Sequence, residues 1–148
     1  MTELARNTRK LAEVLEIGTG CGYQTAVLAQ LADKVFTVER IGALVAKARR
    51  NLQALKIRNV ALKHGDGSGE LGEDLLVDAI VVTAGTTHVP TALIKHLKPG
   101  GRLVLPLAQG DDAERGVQRL TVIEAAAGGL KETTFDAVRF VPLLPGTA

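Results

Sequence analysis

The sequence predicts an α/β domain: an open, mostly parallel sheet with helices on both faces and a closing antiparallel hairpin. Three observations carry this expectation. An apolar run, Val14 to Ile17, passes through a turn with glycine at Gly18, Gly20 and Gly22 into a helical pattern. Strand-like runs then alternate with helical stretches as far as Leu107, which is the signature of a parallel sheet with crossover helices. Beyond that point two further strand-like runs flank Gly128 and Gly129, a connection short enough for a hairpin.

Each element has its own reason. Residues 1 to 12 set Leu4, Leu11 and Ala12 among charges, which suits a frayed helix. Val14 to Ile17 is the first strand, and Tyr23 to Ala32 places Ala26, Val27 and Ala29 at helical spacing. Val35-Phe36-Thr37-Val38-Glu39 is β-branched and aromatic, so it reads as a second strand ending on an acid. Gly42 to Leu55 puts Leu44, Val45, Ala48, Leu52 and Leu55 on one helical face and Lys47, Arg49, Arg50 and Gln53 on the other. A third strand, Val60 to Lys63, runs into His64-Gly65-Asp66-Gly67, and a polar segment leads to a fourth, Asp78 to Thr83. Pro90 fits the first turn of a helix reaching about Leu97, which Lys98-Pro99-Gly100-Gly101 stops. Arg102 to Leu107 is the fifth strand, Gly110 to Gly116 a polar loop, and Gln118 to Ala126 with Phe135 to Leu143 the last two strands.

Composition narrows the function classes. The chain has 148 residues, 46% of them hydrophobic and 23% charged, as expected of one globular domain with a sizeable core. Eighteen basic and sixteen acidic residues leave a formal charge of +2, and the bases are scattered apart from Lys47, Arg49 and Arg50. With aromatics at 3% and no tryptophan, neither an extended nucleic-acid footprint nor a base-stacking sheet is expected. The polar start lacks a signal-peptide core, and no apolar run approaches bilayer length, so a cytoplasmic protein without membrane contact is expected. The single cysteine, Cys21, precludes an internal disulfide. Cys21 reads as a small packing residue inside the turn, and His64, His88 and His96 as structural residues without metal-ligand spacing. Neither a catalytic residue nor a metal ligand is identified.

In an open α/β sheet, ligands sit beyond the carboxyl ends of the strands. Glycines at Gly18, Gly20 and Gly22 let a ligand approach the backbone closely there. Glu39 lies 21 residues after Gly18 at the end of the second strand, where a carboxylate accepts hydrogen bonds from both hydroxyls of a ribose. Arg40 either flanks the adenosine or faces solvent. Asp66 either receives an adenine amino group, with Gly67 admitting the purine, or is an ordinary turn aspartate. A dinucleotide fingerprint would place its third glycine three positions after Gly20, where Tyr23 stands, and no phosphate-cradling Gly-Lys-Ser/Thr motif is present. The pattern therefore favours S-adenosylmethionine over NAD. Val82-Thr83-Ala84-Gly85, ending the fourth strand, lacks the Asp/Asn-Pro-Pro-Tyr element that binds an acceptor nitrogen, which favours an oxygen acceptor or a small molecule.

From Val14 to Leu143 the chain resembles the protein-L-isoaspartate O-methyltransferases. The matching pieces are Val14 to Ala26, Val38-Glu39-Arg40-Ile41, Gly65-Asp66-Gly67, Asp78 to Ala84, Gly100 to Pro106 and Val138-Arg139-Phe140-Val141-Pro142-Leu143. The glycine turn marks any class I methyltransferase; the other pieces, in this order, are more specific. The resemblance implies a Rossmann-like class I methyltransferase sheet and methyl transfer from S-adenosylmethionine to the isoaspartyl carboxylate of damaged proteins and peptides. It also implies a cofactor site formed by Glu16, Gly18, Gly20, Gly22, Glu39, Arg40, Asp66 and Gly67. Met1-Thr2-Glu3-Leu4 resembles the helix that follows a Thr-Ile-Ser-Gln-Pro type segment in the family, so a single domain, N-terminally truncated relative to the family, is expected. Two alternatives remain: a cofactor-binding module without catalysis, and a methyltransferase for another oxygen acceptor.

Overall fold

Strands β1 (Leu11–Ile17), β2 (Ala32–Glu39), β3 (Val60–His64), β4 (Val77–Val82), β5 (Leu97–Leu107), β6 (Gln118–Ala126) and β7 (Gly129–Val138) form one sheet in the order β3-β2-β1-β4-β5-β6-β7. The computed structural model describes residues 11–67, 71–72, 74–138, 143–144 and 146–147. β1 to β5 are parallel, whereas β6 pairs antiparallel with β5 and β7 antiparallel with β6. The helices are α1 (Tyr23–Leu31), α2 (Gly42–Ala54) and two single turns, α3 (Thr91–Ile94) and α4 (Asp111–Glu114). This is the sheet the sequence predicts, with its order reversing on either side of β1, the switch point where such folds bind ligands.

The alternation of side chains along the strands divides the core in two. Val14, Val35, Ala79 and Val81 meet Leu28, Ala29 and Ala32 on the face covered by α1. Leu15, Ile17, Val38, Ile80 and Val82 face the other way, against Leu93, Leu97, Leu103, Leu105 and Leu107. Ile80 is fully buried in that second layer. We expect Ile80→Val to lower stability by about 1 kcal/mol, read by urea denaturation, because removing one buried methylene leaves a small unfilled volume.

Several boundaries differ from the sequence expectation. The helix expected over residues 1–12 falls mostly outside the described residues, and Leu11 and Ala12 belong to β1, where Asp78 Oδ2 accepts from the backbone N–H groups of Ala12 and Glu13 at 3.0 and 2.9 Å. The helix expected from Pro90 to Leu97 is only the turn Thr91–Ile94, because His96 is anchored to the Leu75 carbonyl and Leu97 already pairs with Val77. Consequently β5 starts five residues before Arg102. It pairs once at Leu97, bulges through Lys98-Pro99-Gly100-Gly101, and resumes at Arg102 opposite Ala79. β7 begins at Gly129 rather than Phe135, following a tight Ala127-Gly128 turn, and residues 139–142 of the expected strand lie outside the described residues. In α2 the buried residues are Val45, Ala48 and Leu52, while Leu55 is exposed just past the helix end.

Candidate functional site

At the carboxyl ends of β1, β2 and β4 lies a cleft of about 370 Å³ lined mainly by apolar side chains and glycine backbone. Its floor is the turn between β1 and α1. Gly18, Gly20 and Gly22 all take positive φ, at 99°, 57° and 89°, which L side chains adopt only with strain. Gly18 also needs its missing side chain, since a Cβ there would lie 2.2 Å from Thr83 Oγ1. The Thr83 hydroxyl points at the carbonyls of Ile17 and Gly18, each at 2.9 Å, and so ties the end of β4 to the turn.

Three consecutive residues of β2 hold three consecutive residues of the turn. The hydroxyl of Thr37 meets that of Thr19 at 2.6 Å. The Val38 carbonyl accepts from the N–H groups of Gly18 and Thr19 at 2.8 and 3.3 Å. Glu39 Oε1 accepts from Gly20 N–H at 2.9 Å, while its Oε2 accepts from Ile41 N–H at the same distance. Glu39 is buried, yet it forms part of the cleft wall. Each carboxylate oxygen has two lone-pair sites, and one on each is engaged by these backbone groups.

Of the eight residues implicated by sequence, Gly18, Gly20, Glu39, Arg40 and Gly67 line the cleft. The Arg40 Nε is buried without a hydrogen-bond partner, and a Cβ on Gly67 would strike Ile17 Cγ2 at 2.4 Å. The other three stand elsewhere. Gly22 supports packing, because a Cβ there would touch Ala48 of α2 at 3.4 Å. Asp66 neighbours Gly67, and its Oδ2 accepts from Gly146 N–H at 3.0 Å. Glu16 lies beneath the turn, wholly buried. It accepts from Thr25 Oγ1, from Thr37 Oγ1 at 2.8 Å and from Gln24 Nε2 at 3.2 Å.

Residues outside the cofactor set expected from sequence complete the wall: Ile17, Val38, Ile41, Leu44, Thr83, Ala84, Leu143 and Leu144. Leu44 was legible only as part of an amphipathic face, and Thr83 was visible as the end of a strand without its role behind Gly18. Cys21 is exposed, so its expected packing role does not hold. His64 Nε2 pairs with the Arg40 carbonyl, and His96 is buried with its Nδ1 on the Leu75 carbonyl. Among the described residues no group of three His, Cys, Asp or Glu side chains is placed to hold a metal ion, and no helix is long and apolar enough to cross a membrane.

Burial pushes the Glu16 carboxyl above its ordinary value of 4.5; the hydrogen bonds from Thr25, Thr37 and Gln24 oppose this, and the negative charge of Glu39 adds to it. Between 4.5 and the raised folded value the native state binds more protons than the unfolded chain, so stability falls as pH rises through that window and levels off above it. Urea denaturation from pH 4.5 to 8 is therefore expected to show a stability difference between wild type and Glu16→Gln that shifts against wild type as pH rises. A difference moving in favour of wild type contradicts this.

Comparison with known proteins gives a consistent picture. The family model for protein-L-isoaspartate(D-aspartate) O-methyltransferase matches residues 1–148. A protein-L-isoaspartate O-methyltransferase from Dechloromonas aromatica is 51% identical over 148 residues, covering 99% of this chain and 66% of that protein. Across three such curated relatives the chain spans 63% to 66% of their length. A solved protein-L-isoaspartate O-methyltransferase superposes with a TM-score of 0.77 at 31% identity, covering 88% of this chain and 41% of that one. A beta-aspartate methyltransferase structure from Plasmodium falciparum, in complex with S-adenosyl-L-homocysteine, superposes with a TM-score of 0.75 at 26% identity, covering 90% of this chain and 66% of that one.

Proposed function

This chain belongs to the protein-L-isoaspartate(D-aspartate) O-methyltransferase family, and on that premise we propose that it transfers a methyl group from S-adenosylmethionine to the isoaspartyl carboxylate of damaged proteins and peptides. The observation that carries this reading is the cleft itself. It combines a glycine turn open to close approach, a buried carboxylate, and apolar walls on either side. Its volume of about 370 Å³ lies within the ordinary range for small-ligand sites.

The residues present fit an adenosyl cofactor. Glu39 would accept from both ribose hydroxyls, and Val38, Ile41 and Leu44 would flank the purine, with Gly67 packed on Ile17 in the same wall and Arg40 beside it. Gly18 and Gly20 would admit the remainder of the cofactor against bare backbone. Its sulfonium supplies an activated methyl group and a good leaving group, so the chain need not provide an acid. Nor does it need a base, because an isoaspartyl carboxyl is ionised at neutral pH. Catalysis then rests on alignment of acceptor oxygen, methyl carbon and sulfur. The same proposal includes one methyltransferase domain, isoaspartyl proteins as partners and a cytoplasmic setting.

Isothermal titration calorimetry tests the cofactor assignment. S-Adenosylhomocysteine is expected to bind saturably with one site, and NADH to give no heat; the reverse pattern would replace the assignment. Asp66→Ala is expected to weaken S-adenosylhomocysteine binding about threefold to tenfold, because Asp66 adjoins Gly67 of the cleft wall and its carboxylate holds Gly146 N–H. Unchanged affinity in that variant would confine Asp66 to its contact with Gly146.

A further inference from the structure

Thr37 and Glu16 face each other across the parallel β1–β2 ladder, on the side of the sheet covered by α1. Both are buried, and neither lines the cleft. Glu16 receives the hydrogens of Thr25, Thr37 and Gln24. A hydroxyl has a single hydrogen. With that of Thr37 committed to Glu16 Oε1, the 2.6 Å contact between the two threonine hydroxyls must be Thr19 donating to Thr37. Glu16, Thr37 and Thr19 thus form a directed chain running from a buried carboxylate into the centre of the glycine turn.

Thr19 stands between Gly18 and Gly20, the two glycines that floor the cleft. Between these two flexible residues the Thr19–Thr37 contact adds a side-chain anchor to the bonds that the Val38 carbonyl and the Glu39 carboxylate make with the turn backbone. We propose that Thr37 is a positioning residue for the cofactor, holding the turn in its binding conformation through Thr19 with Glu16 as the terminal acceptor. The proposal rests on the S-adenosylmethionine reading of the cleft. It separates two roles within one network: among the described residues the Thr25 hydroxyl anchors the same carboxylate from α1 and not the turn, so it serves stability alone.

Calorimetric titration with S-adenosylhomocysteine tests this on wild type, Thr37→Val, Thr37→Ser, Thr19→Ala and Thr25→Val, with thermal melting of each. Thr37→Val and Thr19→Ala are each expected to weaken binding about tenfold, the scale of one directed hydrogen bond in a preorganised site, and the double variant no more than either alone. Thr37→Ser should restore affinity to within about twofold of wild type. Thr25→Val should melt lower with wild-type affinity. Should Thr37→Val not fold, Thr19→Ala decides the matter, since it removes the other end of the same bond. Wild-type affinity in Thr19→Ala or Thr37→Val, or an equal loss in Thr25→Val, overturns the proposal while leaving the cofactor reading intact. Absence of binding by wild type overturns both.

Discussion

Glu39→Ala is expected to weaken S-adenosylhomocysteine binding by about 100-fold or more. The carboxylate does two things at once in this structure: it accepts from Gly20 and Ile41, and it forms part of the cleft wall. Hydrogen bonds to a charged acceptor are each worth about 1.5–3 kcal/mol. The alanine variant removes the acceptor of two part-buried backbone N–H groups and the proposed ribose acceptor as well. Glu39→Gln keeps one acceptor oxygen and should lose about tenfold. Calorimetry measures both, with circular dichroism to verify that the sheet persists. Affinity within threefold of wild type in the alanine variant would place the cofactor elsewhere.

Gly18→Ala is expected to cost about 3 kcal/mol of stability and to lower the melting temperature by about 10 °C. Two penalties coincide at this position. The backbone sits at φ 99°, and the new methyl would overlap Thr83 Oγ1, which is itself engaged with the Ile17 and Gly18 carbonyls. Adding Thr83→Ala removes the overlap but not the strained backbone, so the double variant should recover part of the loss and not all of it. Differential scanning calorimetry on the two variants and on Thr83→Ala alone separates the two contributions. Full recovery in the double variant would mean that φ contributes nothing.

Local chemistry made the front of the site legible. Glycines spaced two apart after an apolar run, and an acid at the next strand's end, need no tertiary information to be recognised, and the structure brings Gly18, Gly20 and Glu39 to one cleft. What the sequence hid depends on contacts distant in the chain. Threonines 19, 25 and 37 read as ordinary β-branched or turn residues; the β1–β2 register sets Thr37 between Thr19 and Glu16, and the packing of α1 on β1 brings Thr25 to the same carboxylate. Gly146 reaches Asp66 across 80 residues, a pairing without any local signature. Leu143 and Leu144 reach the cleft because the Leu143 N–H bonds the Gly85 carbonyl, again far apart in sequence.

Boundaries failed where pairing overrode local pattern. β7 is exposed along almost its whole length, so it shows no apolar alternation to mark its start. Pro99 and Gly100 look like a stop signal, yet Leu97 pairs with Val77 ahead of them and the strand absorbs them as a bulge. Tyr23, standing where a dinucleotide fingerprint has glycine, is 80% exposed at the start of α1, so the preference for S-adenosylmethionine over NAD rests on the missing glycine.

Methyl transfer to an isoaspartyl carboxylate is the reaction proposed for this cleft. It is tested most directly by incubating the chain with methyl-labelled S-adenosylmethionine and a pair of peptides differing only in isoaspartyl or aspartyl linkage at one site. Base-labile label is expected on the isoaspartyl peptide and not on its twin, with Glu39→Ala reducing it in proportion to the loss of cofactor binding. Equal labelling of both peptides, or saturable cofactor binding with no base-labile label on either, would contradict it.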